Sequence, residues 1–372
     1  MAAPRARAPW IAVAVIALGA GVYALLRAGA PPTAAPAPAA RPSAPPSLAD
    51  VAARARAAAT TTTAAAARAT TGTTAAARFA PGEVVLRGRW GGNPGEFGRH
   101  EANESNPEAP AAISVEGGDV IILDQVNGRL VRFRGGQPIS SIAVRDTVQD
   151  FRVGPDGRVV TLDRLGDGAV QLHDAQGKPI GELPIAGKGL AEPGLASGVM
   201  VDREGVYVER EHGSVVRIGG ADGRADPRRA ELPGRPSVDG RRATNAAIRD
   251  RAAGIVQVVA FDRATLEVAW VAEIPLQKPI LGLLMLESDA EGRTYVAADT
   301  AREGPEPDFA LLDASIVVVR LSFDGQVTGR IEVPSFATGD ETIRPITVDE
   351  QGVVHVMSPG TEGLTVTRYT FP

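Results

Sequence analysis

The chain has 372 residues, no cysteine, four histidines and a formal net charge of −5. Without cysteine it can hold no disulfide, zinc–thiolate site, cysteine nucleophile, c-type haem or lipid-modified N-terminal Cys. The charge is unevenly spread: residues 1–81 carry eight Arg against one acid, Asp50, so they are +7 and the remainder is −12, an acidic domain that repels phosphate backbones and speaks against nucleic acid as a partner.

In chain order, residues 1–9 are a basic N-terminus expected in the cytoplasm, with Arg5 and Arg7 ahead of an uncharged apolar run over 10–26. As a helix that run spans about 25 Å, sufficient for a bilayer once flanking Ala residues join. With the leading Arg pair retained inside, residues 10–27 are expected to anchor the chain in the inner membrane as a single-pass helix, placing the rest in the periplasm or extracytoplasmic space. The competing reading is a cleaved signal at Ala28-Gly29-Ala30, although Arg27 and Pro31 sit awkwardly for processing. Residues 28–81 alternate Pro with Ala and then Ala with Thr, carry almost no large apolar side chain, and are expected to be a disordered low-complexity linker.

From residue 82 a phrase recurs: apolar strand, Gly turn, second strand, acid. It reads Ile113-Ser114-Val115, Gly118, 120–123 and Asp124. It returns around Gly157 to end on Asp163, around Gly205 with 206–208, and around Gly352 with 353–357. Third strands carry Arg before their last apolar residue, as in Val131-Arg132-Phe133, Val216-Arg217-Ile218, Val319-Arg320-Leu321 and Thr367-Arg368-Tyr369. Fourth strands are expected at 139–144, 180–185, 229–232, 267–274 and 327–333. The unit between Pro236 and Pro275 is degenerate, with a polar second strand (RRATNAAIRD), yet 254–261 and 267–274 still read as third and fourth strands.

Counting it, residues 82–372 hold six units of about 48 residues. No such unit buries its own apolar faces, so the pattern predicts an all-β fold, a six-bladed β-propeller. The last unit lacks a fourth strand, whereas 83–90 is a strand without a partner in the first. The N-terminal strand is therefore expected to close the last blade and remove two sheet edges at once.

The first unit, with Gly91-Gly92-Asn93-Pro94-Gly95-Glu96-Phe97, Pro110, Asp124, Asn127, Arg129-Leu130 and Phe133, resembles an NHL repeat. The resemblance is good over 88–135, weaker across 147–187 and 195–220, and survives only as strand rhythm from 236 on. It implies a six-bladed propeller, a fold that serves scaffolds, lyases, lactone hydrolases and quinone-dependent dehydrogenases alike.

Asp124, Asp163, Glu211 and Asp299 are expected to close second strands at one rim, where a ring of carboxylates would suit Ca²⁺ or a cationic ligand. The stronger reading is that each acid caps the turn after it. No other cofactor is implied. His212 belongs to the same rim, and His355, alternating with Val354 and Val356, is placed toward the central channel. The polar loop 99–106, with His100, lacks any calcium-loop spacing. The insertion 300–313 lengthens one connection and carries Phe309, Leu311 and Leu312, apolar side chains that call for a partner. No GxSxG, Walker or Rossmann fingerprint occurs.

The resulting expectation is a membrane-anchored extracytoplasmic propeller that binds an envelope protein or small ligand without catalysis. The alternative is an exported metal-dependent hydrolase or lyase drawing on Asp124, Asp163, Glu211, His212 and His355.

Overall fold

The computed structural model describes residues 79–101, 106–305 and 310–372. The expected membrane helix over 10–27 and nearly all of the linker over 28–81 lie outside the described residues. No helix among those described is long and apolar enough to cross a membrane.

The described chain is a ring of six four-stranded antiparallel sheets. A first strand, β1 (Gly82–Arg89), stands before blade 1, which comprises β2 (Ala112–Glu116), β3 (Asp119–Asp124), β4 (Arg129–Arg134) and β5 (Gln137–Ala143). Blade 2 holds β6 (Asp150–Val153), β7 (Val159–Asp163), β8 (Ala169–His173) and β9 (Pro179–Pro184). Blade 3 holds β10 (Ala196–Val201), β11 (Gly205–Arg210), β12 (Val215–Gly220) and β13 (Glu231–Leu232). Blade 4 is β14 (Arg235–Pro236), β15 (Arg242–Asp250), β16 (Ile255–Asp262) and β17 (Val268–Pro275). Blade 5 is β18 (Ile280–Ser288), β19 (Thr294–Glu303), β20 (Leu311–Leu321) and β21 (Val327–Pro334). Blade 6 is β22 (Ile346–Val348), β23 (Val354–Pro359) and β24 (Gly363–Tyr369), with β1 as its outermost strand. The ring closes as the unpaired N-terminal strand required, from Gly82 opposite Tyr369 to Arg89 opposite Gly363.

Alternation makes the blades. On β4 Val131 is buried while Arg132 reaches Asp119 at 3.2 Å, and on β20 Val319 is buried while Arg320 covers the Phe371 ring. Between the first and second strands the chain must reverse in a few residues. Gly157 (φ +80°) and Gly352 (φ +85°) adopt the left-handed backbone that this needs. The acids Asp156 and Asp349 accept backbone N–H groups two residues on, at Arg158 and Gln351.

The NHL-like features of the first unit are laid out as one interlock. Phe97 is fully buried against Phe133, with ring centroids 5.6 Å apart. Arg129 binds Asp124 and the carbonyls of Gly92, Asn93 and Glu96. Extended apolar clusters fill the gaps between blades 1 and 2, 2 and 3, 4 and 5, 5 and 6, and 6 and 1. Between blades 3 and 4 there are only two small clusters that meet at Leu232. There a buried ion pair, Arg263 with Asp202 at 2.6 Å, supplements the apolar contact.

The degenerate unit departs from the expected pattern. Its polar segment does form the second strand, β15, but the first strand β14 is two residues long and pairs only with Ala243 and Thr244. Leu232-Pro233-Gly234 brings the chain from blade 3 directly into the middle of β15, leaving no residues for the upper half of an inner strand.

Candidate functional site

Second-to-third-strand turns and blade-to-blade connections share one face of the ring, here the upper rim. Where blade 4 lacks half its inner strand, a cavity of about 410 Å³ opens on this rim. Its walls come from the inner strands of blades 2, 3 and 5, the upper half of β15, and the connection before β22. Met200, Ala246, Ile248, Leu283, Met285 and Ile343 supply apolar surface. Ile343 remains 45% exposed.

Charged groups at the base are committed to one another. Arg344 donates to Asp150 at 3.0 Å and to the Ile113 and Phe151 carbonyls, so one guanidinium from the edge of blade 6 joins blades 1 and 2. Arg152 meets Glu287 at 2.7 Å, and Glu287 also accepts Thr347 Oγ1 and the Val348 N–H, both at 2.9 Å. Arg235 grips Glu209 with two nitrogens, at 2.6 and 3.1 Å, and donates to the Leu286 carbonyl. It thereby spans from blade 3 to blade 5 across the gap in blade 4. Burial opposes ionisation of Glu209, but the Arg235 charge, the nearby His212 ring and hydrogen bonds from Arg235 and Ser197 outweigh it, holding its pKa at about 2. Burial likewise disfavours charge on Glu287. Arg152 and Arg344, with the Val348 N–H, more than offset it and keep its pKa below the ordinary value.

Of the residues expected at the rim, only His212 lines the cavity. Its ring nitrogen lies 3.6 Å from Glu209 and its side chain is 78% exposed. Asp124 is fully buried and accepts from the Gly98 N–H, Asn127 and Arg129. Asp163 receives the Gly166 and Asp167 N–H groups and Thr147, which is turn capping. Asp299 binds Ser335 at 3.0 Å, and burial raises its pKa. It does not close its strand, since β19 runs on to Glu303. Glu211 sits at positive φ on an exposed turn, and the buried acid at that level is Glu209, two residues earlier. A ring of open carboxylates therefore does not form. Among the described residues no group of three or more His, Asp or Glu is placed to hold a metal.

His355 does not face the channel. It is buried in blade 6 with Nε2 3.0 Å from Asp349 at a lower turn. The insertion 300–313 extends the β19–β20 hairpin, with Arg302 opposite Leu312 and Glu303 opposite Leu311. Leu311 and Leu312 project from it 55% and 47% exposed, and Phe309 lies outside the described residues. Glu209, Arg235, Asp150, Arg152, Glu287 and Arg344 escaped sequence reading because their partners are remote. The available signal was charge on strands that should line an axis, as in Phe151-Arg152-Val153.

No family model matches the chain, and no curated protein matches it. Among solved structures it is similar to Kuenenia stuttgartiensis hydrazine synthase (TM-score 0.48, 14% identity, covering 72% of this chain and 79% of that one). It is also similar to a streptogramin B lyase (0.38, 12%, 74% and 97%). A third is the virginiamycin B lyase of Staphylococcus aureus solved with quinupristin (0.38, 12%, 73% and 98%). The chain is a six-bladed β-propeller. At such identities the likeness concerns fold alone, and no residue role passes across it.

Proposed function

We propose that this protein is a non-catalytic binding propeller, held outside the inner membrane by residues 10–27, that receives a ligand or an envelope partner in the upper-rim cavity. The observation that carries the reading is the cavity itself: an apolar wall at a gap in blade 4, over charged groups already paired with each other. Such a site offers buried apolar contact with a few fixed polar groups, the usual make-up of a binding pocket. The exposed Ile343 extends that surface onto the rim.

The test is photo-crosslinking in cells with the full chain. A Cβ at Gly282 would meet nothing within 4 Å, so a benzophenone amino acid fits there, inside the lining. The lower-turn position Arg203 serves as the control. A discrete adduct from position 282 that is absent from position 203 is the expected result. No adduct at 282, or the same smear of products from both positions, would overturn the reading.

A further inference from the structure

Among the described residues no strand pairs with the upper half of β15 on its inner side. Along an antiparallel strand, successive residues direct their N–H and C=O groups to opposite neighbours. The Arg242 carbonyl accepts the Ser237 N–H at 2.9 Å on the inner side, and Thr244 pairs there with Arg235. Ala246 and Ile248 share that parity, so their backbone groups also face inward. The intervening Ala247 faces β16, opposite Gln257. Pairing on the inner side stops at Thr244 because β14 starts only at Arg235. Two N–H and two C=O groups thus point into the cavity that Ala246 and Ile248 line. An open edge of this kind is a template for another strand.

Charge adds a second constraint. The lining holds four arginines, Arg152, Arg235, Arg251 and Arg344, against three acids, Asp150, Glu209 and Glu287. The acids are matched by the first, second and fourth of those arginines. Arg251, at the mouth, donates to the Ile280 and Leu281 carbonyls, and among the described residues it has no carboxylate partner.

We infer that the cavity accepts an extended peptide, which adds to β15 as the missing upper half of blade 4's inner strand, with small or apolar side chains and a carboxylate directed to Arg251. Main-chain bonds to Ala246 and Ile248 give register, while Met200, Leu283, Met285 and Ile343 select alternate side chains. This inference rests on the cavity being the binding site and names the class of occupant.

The experiment pans a phage-displayed heptapeptide library against the full chain in lipid nanodiscs, with counter-selection on Gly282→Trp. That variant narrows the cavity from a position with open space. Enriched peptides are synthesised and measured by fluorescence polarisation. Expected are at least tenfold weaker binding to Gly282→Trp and a similar loss on N-methylation of alternate peptide residues, with less than twofold change at the residues between. Arg251→Met should weaken peptides that carry the carboxylate and leave their amide analogues unchanged. Thermal unfolding of each variant identifies any that has lost the fold, and Ala246→Pro then serves as the second blocking variant.

If no peptide survives counter-selection, or N-methylation acts equally at every position or at none, strand addition is overturned. A discrete crosslink from position 282 alongside that outcome would leave the binding reading standing and sink only the peptide. Absence of the crosslink would sink both.

Discussion

Glu209 and Arg235 form a buried pair with a direct consequence for stability. The Glu209 carboxyl titrates near 2 in the fold against an ordinary 4.5, worth about 3 kcal/mol. Because the folded pKa is depressed, that stability is fully present above pH 4.5 and disappears as pH falls through about 2. Denaturant unfolding of the wild type should therefore lose stability steeply over that window, and Glu209→Gln should flatten this part of the profile. At neutral pH, Arg235→Met leaves a buried carboxylate uncompensated and is expected to cost about 3–5 kcal/mol, while adding Glu209→Leu should restore much of the loss. Beside the pair, Glu211 and His212 both hold positive φ, +50° and +56°, in a turn where Asn-Gly would be relaxed. Glu211→Gly should raise stability by about 1 kcal/mol, measured as a higher unfolding midpoint. Strain retained at the mouth of a cavity accords with use of that turn.

Blade 1 and blade 4 show what a sequence discloses about an element. In blade 1 the interlocking residues lie close together in the chain: Asp124, Asn127 and Arg129 fall within six positions and bind each other. Their pattern was readable, and the strand, its turn and its buried Phe97 follow from it. In blade 4 the decisive fact is an omission, an inner strand of two residues, whose effect depends on what stands across the gap. Arg235 and Glu209 are 26 residues apart, and Arg344 and Asp150 are 194 apart, so no local spacing could announce them. The rim acids are legible as turn-formers, and Asp163 behaves so, whereas the repeat spacing points to Glu211 where the fold buries Glu209. β15 also permits a direct check of its parity. Ala247→Pro removes an N–H that faces β16, leaves its partner carbonyl unpaired and should cost about 1–3 kcal/mol. Ala246→Pro removes one directed into the cavity and should cost far less. Urea unfolding of the two variants separates them.

The molecule as a whole depends on its seam. β1 covers the outer edge of β24, and Trp90 and Glu83 add side-chain contacts to Gly360 and Arg368. Removing residues 79–89 should expose both β24 and the apolar cluster shared by blades 6 and 1. The expected result is self-association on size-exclusion chromatography and the loss of a single cooperative thermal transition. The seam also fixes an order of events during biogenesis. Glu83 and Arg368 are 285 residues apart, so the segment synthesised at the start of the domain must wait, unmatched, for the very end. Until then β1 is an unpaired edge that must be kept from other strands while the rest of the ring forms. Chaperone demand and susceptibility to clipping should therefore persist until β24 is available to pair and fall abruptly once it docks on β1.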